Sequence, residues 1–167
     1  MTTRRPSAFT LGELGAALAA TGIVAALAYS TYRTHTVRSE VSEGIALANA
    51  VIAGVTESFR RRGEVPATLE APLPPAGPAP AGSPFVESVT VVDGRIDVLY
   101  GGQADPAIAG RRISLTPFET VDRHVVWICG NEIPGPGLKP LGFAAGGRQA
   151  VQIPTTIEAR YLSGPCR

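Results

Sequence analysis

The chain is short of nearly everything from which metal centres and disulfide frameworks are built. Its 167 residues hold two cysteines, two histidines, one methionine and one tryptophan. Two cysteines are too few for a closed four-ligand zinc site or a disulfide scaffold, and on their own leave open one disulfide, a free thiol pair or a share of a metal site. A surplus of one charge is missing too. Fifteen Lys and Arg stand against fourteen Asp and Glu, a formal charge of +1, far from the strongly basic balance of a domain that binds nucleic acid as a whole. The length excludes a large multidomain enzyme. What is plentiful is apolar residue, 44% of the chain, with 19 glycines and 15 prolines. That apolar fraction excludes disorder throughout, while so much Gly and Pro demands long loops.

The most telling scarcity is local. After Arg4, Arg5 and Glu13 no charged side chain occurs until Arg33, so Leu14 to Tyr32 form an uncharged run of membrane-crossing length. Alanine dominates it, and only Leu14, Leu18, Ile23, Val24 and Leu27 are large aliphatics, which makes insertion weak. Three readings compete: a secretory signal cut near Ala26-Leu27-Ala28, a buried helix of a soluble protein, and a retained membrane helix. Arg4-Arg5 also invites a twin-arginine export reading, but Pro6 and the spacing to Phe9 fit it poorly. The third reading rests on Glu13, because a carboxylate at the head of an apolar run is costly and usually functional.

Ala8-Phe9-Thr10-Leu11-Gly12-Glu13 followed by an apolar helix resembles the cleavage and methylation motif of type IV prepilins. The resemblance continues through Gly22, Tyr32 and Val37-Arg38-Ser39-Glu40-Val41-Ser42-Glu43, similar to a stretch common in type IVa pilins. It returns in Trp127-Ile128-Cys129 and in Ala159 to Arg167, the latter ending Tyr161-Leu162-Ser163-Gly164-Pro165-Cys166-Arg167. It implies cleavage by a prepilin peptidase between Ala8 and Phe9, methylation of the new amino terminus, an assembly role for Glu13 and a disulfide between Cys129 and Cys166. Ala8 stands where the family usually has glycine, and Ser30 stands where many members carry a helix-breaking proline. Gly12, Gly15 and Ala16 replace bulky aliphatics, as a minor or divergent pilin would show.

Periodicity independently predicts one long helix. Val37, Val41, Ile45, Ala48, Ile52, Val55 and Phe59 recur at about 3.67 residues per step and so share one face, with Arg38, Glu40, Ser42, Glu43, Asn49 and Glu57 mostly on the rest. Arg60, Arg61 and Arg62 suit the last turn and Gly63 the stop. The expected helix runs from about Phe9 to Arg62, roughly 80 Å. Seven prolines between Pro66 and Pro84 then force an extended loop, read as a solvated connector rather than a polyproline recognition segment. Strands are expected at Phe85 to Val92, Arg95 to Tyr100, Arg112 to Phe118 and Arg123 to Cys129, the first two joined by a type I′ turn at Asp93-Gly94. Gln149 to Ile153 and Thr155 to Ala159 are the only candidates for regular structure between the cysteines. The fold class is therefore α+β, a long helix on a four-stranded antiparallel sheet with a disulfide-bounded C-terminal region.

The organisation expected is a leader at 1–8, a transmembrane and filament-core helix at 9–32, an amphipathic helical half at 33–63, a Pro-rich loop at 64–84, and the sheet and C-terminal region at 85–167. No catalytic residues, metal site or cofactor are expected, since His35 and His124 stand in no triad or ligand motif and Asp93, Asp97, Asp105 and Asp122 lack calcium-loop spacing. The resemblance implies a filament subunit, held as a precursor in the inner membrane with its N-terminus cytoplasmic and then polymerised outside the cell. Its partners would be other pilin subunits, the peptidase and assembly machinery, the membrane, and a host surface or DNA. A type II secretion pseudopilin and a signal-anchored periplasmic binding protein are the alternatives.

Overall fold

A computed structural model describes residues 10–68, 83–143, 147–162 and 166. Helix α1 (Leu11–Arg62) is followed by strands β1 (Val86–Val92), β2 (Arg95–Tyr100), β3 (Arg112–Glu119), β4 (Val125–Cys129) and the two-residue β5 (Lys139–Pro140), then a 3-10 turn at Ala159–Tyr161. The strands form one antiparallel sheet in the order β1-β2-β3-β4, with β5 pairing to β3. The chain divides into two compact units, with the boundary between Thr36 and Val37.

The helix ends as its composition requires. Gly63 takes φ +71° and its N–H donates to the Phe59 carbonyl at 2.7 Å, closing the last turn in a conformation that favours glycine. Glu57 accepts from both Arg60 and Arg61. The Arg61 hydrogen bond, the largest cause, with smaller help from Arg60, holds the Glu57 carboxyl below its ordinary pKa. Any support from this clamp is present above the ordinary carboxylate range and is lost as pH falls through the lowered value.

In the second unit, one helical face and one sheet face make the core. Val37, Val41, Ala48, Val51 and Val55 are buried against Val91, Ile96, Val98, Tyr100, Ile113 and Leu115. The stripe differs from the periodicity reading in its centre. Gly44, Val51, Gly54 and Ser58 are buried, while Ile45, Ile52 and Phe59 are only partly so. Small residues, rather than the largest aliphatics, face the sheet because they let it approach. Tyr100 shows why: its side chain lies over Gly44 and its hydroxyl donates to the Val41 carbonyl at 2.7 Å. Burial pushes the Tyr100 phenol above its ordinary pKa, so it stays a neutral donor. Glu40, read from sequence as part of the polar face, is instead 8% exposed, and its Oε2 accepts from the Asp105 N–H at 2.8 Å. Arg38 donates to the Arg160 carbonyl at 2.7 Å. The Val37 to Gly44 stretch thus binds the β2–β3 loop, strand β2 and the C-terminal turn.

The β1–β2 hairpin has the expected turn, with φ +48° at Asp93 and +80° at Gly94. Strand β4 starts two residues later than expected. Arg123 sits at φ +63° in a Thr120–His124 turn, where the Arg123 N–H donates to the Thr120 carbonyl and the Thr120 N–H to the His124 carbonyl. That left-handed conformation stops the strand pattern from reaching back to Arg123.

The C-terminal region also departs from expectation. Gln149 to Ile153 and the stretch from Thr155 to Glu158 form no helix or strand. Instead residues 150–156 are tied to the sheet by polar contacts. Arg95 donates to the Val151 carbonyl, the Thr156 N–H and the Thr155 hydroxyl donate to the Arg112 carbonyl, and Gln152 reaches the Glu132 carbonyl. Arg95, 11% exposed, also forks onto Asp97, 10% exposed, at 2.9 Å, a buried and oriented pair.

Cys129 and Cys166 are joined by a disulfide, with Cα atoms 4.8 Å apart and a sequence separation of 37. Closing such a loop contributes about 4 kcal/mol in the chain-entropy account. The Cys166→Ser variant is therefore expected to unfold at a clearly lower denaturant midpoint than wild type. Dithiothreitol should shift the wild-type midpoint by a similar amount and leave the variant unmoved. A variant that unfolds at the wild-type midpoint would remove the bond from the account of stability.

Candidate functional site

The first unit carries the apolar stretch, and its large side chains are exposed. Leu14, Leu18, Ile23, Val24, Leu27, Tyr29 and Tyr32 are all between 51% and 71% exposed. The helix is long and apolar enough to cross a membrane. Four threonine hydroxyls along it are satisfied locally: Thr21 donates to the Ala17 carbonyl, Thr31 to Leu27, Thr34 to Ser30 and Thr36 to Tyr32, at 2.8 to 3.2 Å. These four therefore suit surroundings that offer no water.

A Cβ placed on Gly12, Gly15 or Gly22 would meet no described atom within 4 Å. No contact within the described chain requires these glycines. In a helix that packs against other helices they permit close backbone approach.

Glu13 lies in the first turn of α1 and is held by Thr10. The Thr10 N–H and hydroxyl both donate to Glu13 Oε2 at 2.8 Å, while the Glu13 N–H donates to Thr10 Oγ1 at 3.3 Å. This is a reciprocal capping box, which satisfies backbone donors that a helix start leaves without intrahelical partners. Sequence reasoning assigned Glu13 and missed Thr10, although Thr-x-x-Glu ahead of an apolar run is the signature of such a box. The expected processing residues, Ala8 and Phe9, lie outside the described residues. Removing the cap tests the local role of Thr10. Thr10→Val is expected to cost about 1 kcal/mol of helix-end stability, read as roughly fivefold faster amide exchange at residues 11–14 in detergent micelles. Unchanged exchange would mean that the box stabilises nothing.

His35 is exposed on α1, and His124 is exposed in the Thr120–His124 turn rather than in a strand. Among the described residues no group of three or more His, Cys, Asp or Glu side chains is placed to hold a metal ion. The arrangement provides an apolar helical surface with a carboxylate at its head, a folded sheet unit and a covalently closed C-terminal region. Those are parts suited to association with other surfaces.

Comparison with known proteins agrees with this. The chain is 29% identical over 160 residues to the type IV major pilin protein PilE1 of Neisseria gonorrhoeae, covering 95% of this chain and 86% of that protein. It is 32% identical over 169 aligned positions to a fimbrial protein of Neisseria meningitidis serogroup A, and 30% identical to that of serogroup B, in each case covering 95% of this chain and 92% of the relative. The pattern of the Pilin family, described as a bacterial filament protein, matches residues 37–167. With that match spanning the whole second unit and the relatives aligned across both, the chain belongs to the pilin family of bacterial filament proteins.

Proposed function

We propose that this protein is a structural subunit of a type IV pilus, without enzymatic activity of its own. The observation that carries this reading is the exposed apolar stretch of α1 in a chain aligned over 95% of its length with type IV major pilin and fimbrial proteins. A helix whose large side chains stand out from its own fold needs either lipid or other copies of itself to cover them. In a filament it has both in turn. The precursor lies in the inner membrane with Arg4 and Arg5 on the cytoplasmic side, as the positive-inside rule favours. A prepilin peptidase removes the leader at 1–8, Phe9 becomes the methylated amino terminus, and the helix at 9–32 moves from lipid into a bundle of identical helices. Removing Arg4 and Arg5 takes the formal charge from +1 to −1, which releases the cytoplasmic anchor. The amphipathic half at 33–63 carries the sheet and the closed C-terminal region at 85–167 as the outer part of the subunit; most of the expected Pro-rich loop at 64–84 lies outside the described residues. The names of the relatives, major pilin and fimbrial protein, support a surface pilus rather than a secretion pseudopilin.

The mature N-terminus tests this reading. Mass spectrometry of sheared surface filaments is expected to find the chain starting at Phe9 and carrying one added methyl group. A chain starting at Tyr29 would identify a cleaved secretory signal and overturn the pilus reading.

A further inference from the structure

The last turns of α1 and the turn between β3 and β4 enclose a cavity of about 420 Å³, a size typical of clefts that take small molecules. Its wall is mixed in character. Phe59 and Val125 supply apolar surface, Thr56 a hydroxyl, Glu119 a carboxylate, and Arg123 and His124 basic groups. Thr56 Oγ1 already accepts from Trp127 Nε1 at 3.3 Å, which leaves its own proton to donate. Arg60 also borders the space, but its guanidinium is committed to Glu57 at 2.8 Å. Among the described residues no ion pair engages Arg123.

Arg123 is the residue that makes this more than a surface dent. It is one of two described non-glycine residues with positive φ, and the other, Asp93, belongs to a hairpin turn that demands it. A left-handed position favours glycine or asparagine. An arginine there runs against backbone preference, and backbone outliers of this kind gather at ligand-contacting sites. The turn that holds it is fixed by hydrogen bonds, including the His124 N–H to Thr120 Oγ1 at 3.1 Å.

The geometry points to a binding site for an acidic sugar, a hexuronate at the end of a glycan chain. One unpaired guanidinium matches one carboxylate. Glu119 and the Thr56 hydroxyl match ring hydroxyls, and the Phe59 and Val125 wall matches the apolar C–H face of a pyranose. Glu119 on the same rim disfavours a phosphate backbone or any other dense polyanion by like-charge repulsion, and so separates this ligand class from nucleic acid.

Trp127 is the single tryptophan of the chain and is bonded to the cavity wall, so its fluorescence in the detergent-solubilised full-length protein reports on the site. Titration with sodium glucuronate is expected to give a saturable change, with glucose and sodium acetate at least tenfold weaker. Saturation-transfer NMR on the glucuronate protons provides a readout that does not depend on the tryptophan. Arg123→Gly should weaken glucuronate binding at least tenfold while leaving the melting temperature equal or higher, since glycine relieves the backbone. Glu119→Gln should weaken it without weakening acetate. The proposal is overturned by an absence of saturable glucuronate binding in both readouts, by equal binding of glucose, or by an Arg123→Gly protein that binds as wild type does.

Discussion

Gly44→Ala is expected to destabilise the sheet unit by about 2 kcal/mol, although alanine is the better helix former by about 1 kcal/mol. The sign is decided by Tyr100. A Cβ on Gly44 would lie 2.6 Å from Tyr100 Cζ and 2.8 Å from Cε1, closer than carbon atoms approach without movement. The ring cannot swing aside, because it is fully buried and its hydroxyl is tied to the Val41 carbonyl. Overpacking of this kind costs about 1 to 3 kcal/mol, and expelling a buried aromatic costs about 3 to 5 kcal/mol. Either outweighs the gain in helix propensity. Thermal unfolding of the detergent-solubilised chain, followed by the Trp127 signal, should show a midpoint lower by roughly 4 to 8 °C. A double-mutant cycle locates the cause: with Tyr100→Leu in the background, Gly44→Ala should become neutral or stabilising. Equal effects in both backgrounds would place the cost elsewhere than the tyrosine.

The same pair shows where sequence reasoning reached its limit. Helix α1 was legible because two independent patterns, a charge-free run and an apolar period, agree along its length, and Gly63 marks its end. The β1–β2 hairpin was legible because Asp93-Gly94 satisfies a turn that needs positive φ twice. The helical stripe was legible at Val37, Val41, Ala48 and Val55, with Ile45 and Ile52 packed at its flank. Gly44 was missed because periodicity weighs large aliphatics, whereas the face under Tyr100 is set by what is small enough to let the ring in. Glu40 was misread for a related reason: a carboxylate scores as solvent-facing until a distant backbone N–H, here Asp105, is brought to it. Between the cysteines the sequence offered only Gln149 to Ile153 and Thr155 to Ala159 as candidates for regular structure, and residues 149–158 form neither helix nor strand. Part of the order at residues 150–156 comes from contacts that span more than forty positions, such as Arg95 to Val151 and Thr155 to Arg112, and no local signal foretells those. At the proposed assembly site Glu13 stood out as a charge in the wrong solvent. Thr10 could have been found three residues earlier by its capping chemistry.

Glu13→Ala and Glu13→Gln are expected to abolish most filament formation, and the two together separate the two roles that the carboxylate can play. Within one chain Glu13 completes a capping box with Thr10. In the proposed filament it neutralises the amino terminus of a neighbouring Phe9, which sets the axial register of an arriving subunit. Glutamine serves the N3 position of a capping box as glutamate does, but carries no charge. Alanine loses both functions. If the ion pair governs assembly, both variants should be inserted and cleaved, with heads that fold and form the Cys129–Cys166 bond, and neither should polymerise. Removing one partner of a buried charge pair costs about 2 to 5 kcal/mol, which at about 1.4 kcal/mol per decade is a loss of some thirtyfold or more in each subunit contact. Membrane retention should rise in both variants, because a carboxylate at lipid depth is replaced by a group that is easier to desolvate. The measurement is sheared-filament yield in a strain that expresses no other pilin. If Glu13→Gln assembles as wild type while Glu13→Ala does not, Glu13 acts through the helix cap alone, and the amino terminus of the neighbouring subunit must find its counter-charge elsewhere.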